Sequence, residues 1–165
     1  MAILPRLLFV LVLVVAPIVV WMTSMGLPAR VATHFARGGF ANGFMSHDGY
    51  VMFMLLMTTL FPLVIVAMTG FIPRFATSQI GRRKRDFWLS AERRDATLGW
   101  LASHACAMGV LLCVFLVSIH LLTLEANQRT PPRLDEAAFF AVLIGFVVLL
   151  VVWIGAIALR FARMR

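Results

Sequence analysis

"AAFFAVLIGFVVLLVVWIGAIAL", Ala137 to Leu159, carries no formally charged side chain and no alternation of polar with apolar residues. Its length decides the fold. About 20 apolar residues in an α-helix cross the roughly 30 Å hydrocarbon core of a bilayer. Three further uncharged stretches of comparable length precede it, Leu7–Met25, Val51–Ile72 and Leu98–Leu122. Backbone donors and acceptors in hydrocarbon must be satisfied within their own segment, and none of the four shows the period-two pattern of a barrel strand. The predicted class is therefore an all-α integral membrane protein with four transmembrane helices.

The composition agrees with this. Hydrophobic residues make up 62% of the 165 and the mean hydropathy is +0.95, whereas soluble domains are about half apolar. Residues 1–165 read as one four-helix membrane domain. Arg6 before the first span resembles the start of a signal peptide, but the apolar run is long for such a core and no Ala-x-Ala site follows, so it is read as a retained helix.

The formal net charge is +8. Eleven of the fifteen basic residues fall in one set of flanking segments: Arg6, the loop from Arg74 to Arg94, and Arg160, Arg163 and Arg165. Arg30, Arg37, Arg129 and Arg133 flank the opposite ends. Such asymmetry reports topology, not a nucleic-acid partner. The positive-inside rule places both termini and the basic loop 73–97 in the cytoplasm and turns the loop 26–50 outward.

Within the cytoplasmic loop "GRRKR" at 81–85 is followed at once by Phe87, Trp88 and Leu89. Arg82, Arg83, Lys84, Arg85 and Trp88 are candidate lipid anchors, because anionic headgroups attract each basic residue by about 1 kcal/mol and Trp settles at headgroup depth. The same cluster could dock a cytoplasmic regulator. Ser90 is expected to cap a helix with Glu92 in its first turn, running on into the third span.

Inside the spans, Pro17 and Pro62 should kink their helices and leave room for a small crevice. Gly99, Ala102, Ser103, Cys106, Gly109 and Cys113 form a small-residue face on the third span, and Ala137, Ala141 and Gly145 offer a matching face on the fourth. Cys106 and Cys113 share nearly one face of one helix and cannot pair. His104 lies at hydrocarbon depth and needs a partner, with Ser103 and Thr58 as candidates. No span holds Asp, Glu, Lys or Arg, which argues against an ion-coupled transporter or proton pump. Nucleophile-elbow, phosphate-loop, Cys-x-x-Cys and His-Glu-x-x-His patterns are all absent, so no catalytic residue is assigned.

The outward loop, "LPARVATHFARGGFANGFMSH" at Leu27–His47, is the polar exception in this chain. Residues 30–35 alternate as a strand does, and Asn42-Gly43 carries a tight-turn signal, with Gly38-Gly39 as a second reversal. A short hairpin or lid over the outer bundle end is expected. The other outer loop contains Pro131-Pro132, which should hold it extended.

Leu27-Pro28, His34-Phe35, Gly39 and Asn42-Gly43-Phe44 with Ser46 resemble the pattern of the domain of unknown function at the N-terminal end of SdpI-type bacterial immunity proteins, over about residues 1–72. Ala36, Asn42, Phe44 and His47 stand where that pattern usually has Asn, Asp, Trp and Lys. The C-terminal half looks like single-domain relatives of similar length. The resemblance implies a multi-pass protein of the bacterial cytoplasmic (inner) membrane, and an immunity or sensing role toward an antimicrobial peptide or envelope component. On that reading His34, Gly39 and Asn42 shape the loop, while Arg37, His47 and Asp48 meet the ligand.

Two alternatives stand beside recognition. A small membrane metalloenzyme would draw His34, His47 and His120 together with Glu125 or Asp48 around zinc or copper, donors that suit either metal, although their spacing matches no compact ligand motif. A structural or assembly subunit of a membrane complex would need no site at all. No cofactor is otherwise predicted.

Overall fold

The computed structural model describes residues 3–70 and 86–162. The chain forms helix α1 (Leu4–Ser24), strands β1 (Arg30–Phe35) and β2 (Ala41–Ser46), and helices α2 (His47–Gly70), α3 (Arg94–Asn127) and α4 (Glu136–Ala162). All four helices are long and apolar enough to cross a membrane, as the uncharged runs predict. They begin or end a few residues outside those runs, because polar first and last turns continue the helix beyond the apolar stretch. The basic cluster Arg82, Arg83, Lys84 and Arg85 and the last residues of the expected second span lie outside the described residues.

The helices run alternately up and down, so the bundle has a hairpin end, where β1 and β2 sit, and a terminal end, where α1 starts and α4 finishes. Helix α3 is the hub and packs against α1, α2 and α4. Its 34 residues make a rod of about 50 Å, roughly 20 Å longer than the hydrocarbon is thick. The excess matters at the hairpin end, where the last turn of α3 reaches the strands.

Two apolar clusters hold α1, α2 and α3 together. Val20, Leu27, Val31, Tyr50 and Met54 pack at the hairpin end, and Phe9, Val66, Ala105 and Cys106 at the terminal end. Gly109 decides the second approach: a Cβ there would run into the Phe9 ring and the Val66 side chain. The small residues of α3 thus admit α1 and α2, as small residues do where no hydrophobic force separates helix from lipid. Thr58 is fully buried between them, donating to Met54 O at 2.8 Å, while its own carbonyl faces the Cys113 thiol at 3.8 Å.

Helix α4 corrects the expectation of a second small-residue seam. None of its residues is buried, and nothing lies within 4 Å of a Cβ built on Gly145. Large rings hold it instead. His104 of α3 lies between Trp100 and Trp153, with ring centroids 4.5 and 5.0 Å away and nearly parallel planes. Trp153 Nε1 donates to His104 O at 2.9 Å, and His104 Nε2 donates to Trp153 O at 3.1 Å. The partner of His104 is therefore a backbone carbonyl on the neighbouring helix, not Ser103 or Thr58. Phe115 and Phe146 stack at 4.2 Å further along the same contact.

The start of α3 also differs from expectation. Ser90 does not cap it through its hydroxyl, which donates to Phe87 O at 3.4 Å; the backbone carbonyl of Ser90 receives the amides of Arg93 and Arg94, and the helix begins at Arg94. Trp88 packs edge-on against Phe161 at 5.1 Å and so ties this segment to the end of α4.

Candidate functional site

Strand β1 runs antiparallel to β2, with Arg30 opposite Ser46 and Phe35 opposite Ala41, and the register shifts around His34. The hairpin exists as the alternation suggested, but its turn is elsewhere. Asn42 and Gly43 lie extended inside β2, and Gly43 faces His34 so closely that a Cβ would sit 2.9 Å from that residue's Cβ. The reversal belongs to Gly38 and Gly39, whose φ angles of 86° and 78° supply the left-handed backbone that a tight hairpin turn requires. Ala36 N donates to Phe40 O at 2.8 Å and closes it.

Contacts with distant sequence fix this turn. Gly38 N donates to Glu136 Oε1 at 2.8 Å, Arg133 Nε donates to Gly38 O at 2.9 Å, and Leu134 N donates to Gly39 O at 2.8 Å. A Cβ on Gly39 would strike the Leu134 carbonyl. The Arg133 guanidinium lies 4.7 Å above the Phe40 ring, a cation–π contact that covers the turn. At the other side of β1 the Asn127 side chain behaves as a strand would: its Oδ1 accepts from Ala32 N at 2.8 Å and its Nδ2 donates to Ala32 O at 3.0 Å. Ala32 is wholly buried, so both of its backbone groups depend on that amide.

Between turn and α4 opens a cavity of about 340 Å³, bordered by His34, Phe35 and Arg37 on the hairpin and by Glu136, Phe139 and Phe140 on α4. It combines one cation, one carboxylate, one imidazole and three aromatic rings. Such a mix of apolar wall and few polar groups suits an amphipathic ligand. Asp135 caps α4 beneath it, accepting from Ala138 N at 3.0 Å.

Of the loop residues singled out in the sequence, His34, Arg37 and Gly39 border this cavity. Asn42 is exposed on β2, away from the turn it was expected to hold. His47 and Asp48 open α2 on another side: His47 Nδ1 pairs with Asp48 at 3.0 Å and its Nε2 donates to Ser24 O at 3.0 Å, latching α2 to the end of α1. Glu136, Phe139 and Phe140 were not expected. Asp and Glu at 135–136 suit a helix start, but no local pattern tells that this start faces the hairpin.

The four candidate metal ligands are not brought together, and no group of three or more His, Cys, Asp or Glu able to hold a metal occurs among the described residues. His34 pairs with Thr33 Oγ1 at 3.1 Å, and Glu125 forms an ion pair with Arg129 at 2.5 Å, one turn along α3. His120 is wholly buried, with Nδ1 2.8 Å from Tyr50 Oη and Nε2 2.8 Å from Thr23 Oγ1. No family model matches the chain, and neither does any curated protein or solved structure.

Proposed function

We propose that the protein recognises an amphipathic ligand at its hairpin end, in the manner of an immunity or sensing protein of the bacterial inner membrane. The cavity between the Gly38-Gly39 turn and the first turn of α4 supports this most directly, since it gathers Arg37, His34 and Glu136 beside Phe35, Phe139 and Phe140. By the positive-inside rule this end faces outward, where an antimicrobial peptide or envelope component would meet it. A peptide with an acidic group and an apolar side chain fits the arrangement: the Arg37 guanidinium takes the carboxylate and the phenylalanines take the side chain. The resemblance of residues 27–46 to the SdpI-type pattern points to the same role.

The test is survival of cells making the wild-type chain, Arg37→Ala or Glu136→Gln at matched membrane levels, challenged with a panel of envelope-active peptides. Protection against at least one peptide, lost in both variants, is the expected result. Equal survival of wild-type and empty-vector cells across the panel would remove recognition of peptides from consideration.

A further inference from the structure

A second cavity, of about 490 Å³, opens between α1, α2 and α3 at the terminal end. Its walls are apolar, formed by Phe9 and Val10 of α1, Leu63 and Ala67 of α2, and Ala102 of α3. Its volume lies within the roughly 300–1,000 Å³ typical of small-ligand sites. Leu63 and Ala67 are exposed, so the groove is open sideways to the bilayer and not sealed in the core.

Among the described residues one formal charge borders it. Arg6, in the first turns of α1, is exposed at the groove and, among the described residues, spends a single hydrogen bond, from Nη2 to Gly99 O at 3.1 Å. A guanidinium has five N–H donors in a planar fork that matches phosphate oxygens, and that one bond orients the fork while leaving donors over. Among the described residues no carboxylate borders the groove. An apolar channel open to lipid, with a guanidinium at the headgroup end, has the two-part chemistry that fits an acyl chain joined to an anionic head.

We propose that this groove binds one anionic phospholipid, its acyl chain lying between Val10 and Ala67 and its phosphate on the Arg6 guanidinium. The site is separate from the hairpin-end cavity, so either can fail without the other. It also differs from general attraction to the inner leaflet, because it predicts a fixed stoichiometry and a single decisive arginine.

The experiment is native mass spectrometry of the full chain in a neutral detergent, titrated with phosphatidylglycerol or with phosphatidylcholine of the same acyl chains. One phosphatidylglycerol per chain, retained at least about tenfold more strongly than phosphatidylcholine, is expected from a charge-assisted phosphate contact. Arg6→Gln should erase that preference. Ala67→Phe, which places a ring in the exposed part of the groove, should weaken both lipids, and it decides the matter if Arg6→Gln does not fold. Inorganic phosphate at millimolar concentration should displace neither lipid. Equal retention of the two lipids by the wild type, an unchanged preference in folded Arg6→Gln, unchanged binding in Ala67→Phe, or displacement by free phosphate would each overturn the proposal.

Discussion

Tyr50 of α2 and His120 of α3 form a buried pair, Oη to Nδ1, at 2.8 Å, with their rings stacked at 5.8 Å. The protonation pattern follows from the neighbours. Thr23 Oγ1 gives its only proton to Val19 O at 2.7 Å, so toward His120 it can only accept. His120 therefore carries its proton on Nε2, and Nδ1 accepts from the Tyr50 hydroxyl. One imidazole so joins all three core helices.

Tyr50→Phe should remove one hydrogen bond and leave Nδ1 unpaired, costing about 1 kcal/mol, within the range for polar contacts between membrane helices. His120→Ala should cost about 2–4 kcal/mol, because it adds a cavity to the lost bonds. Unfolding midpoints in mixed detergent order the variants; a Tyr50→Phe protein as stable as wild type would show that the pair contributes nothing.

Gly39→Ala and Gly38→Ala should separate strain from collision. Both place a side chain at positive φ, which costs about 1–2 kcal/mol. At Gly38 the new methyl would meet only the edge of the Phe40 ring at 3.4 Å, whereas at Gly39 it meets the Leu134 backbone. Limited proteolysis of the hairpin-end loops should be clearly faster in Gly39→Ala than in Gly38→Ala. Identical cleavage rates would mean that the turn is not seated against residues 133–136.

Asn127→Ala should free β1 from the bundle. The two hydrogen bonds to Ala32 disappear together with a third, from Asn127 Nδ2 to Thr123 O, and two buried backbone groups of Ala32 lose their partners, about 2–4 kcal/mol in all. Amide hydrogen exchange read at Ala32 and Val31 should accelerate at least about thirtyfold, the conversion of the lower figure at 1.4 kcal/mol per decade. Unchanged protection there would make the amide incidental.

Zinc or copper added to the purified protein should leave its unfolding midpoint where it was, since both His120 ring nitrogens are engaged and His34, His47 and Glu125 each have another partner. Elemental mass spectrometry beside His34→Ala and His120→Ala checks this. Near-stoichiometric metal lost in both variants would favour the metalloenzyme alternative.

The spans were legible because hydrocarbon thickness imposes one length on every segment, and Ala137–Leu159 has no competing interpretation. Strand β1 was legible from alternation. The turn was not, since Asn42-Gly43 and Gly38-Gly39 both have turn-compatible residues; what selects the second is its seat on Arg133, Leu134 and Glu136, which no local window contains. The same holds for the site. His34, Arg37 and Gly39 stand out as polar or flexible residues in an apolar chain, but Phe139 and Phe140 look like any lipid-facing pair until α4 is docked. His104 at hydrocarbon depth needs a partner, and that partner is a main-chain carbonyl, which is present at every position and so leaves no mark in sequence.

The clamp on the hairpin also orders events in time. Ala32 waits for Asn127 and Gly38 waits for Arg133, in each case 95 residues later in the chain. At roughly 5–20 residues per second of synthesis, the strands have been made for about 5–20 seconds before their clasps exist. During that interval the first two helices are already available for insertion, while the segment between them has only its contacts with α1 and α2. The ribosome thus delivers the cap early and its fastenings late, and the hairpin end is completed only when the second pair of helices arrives.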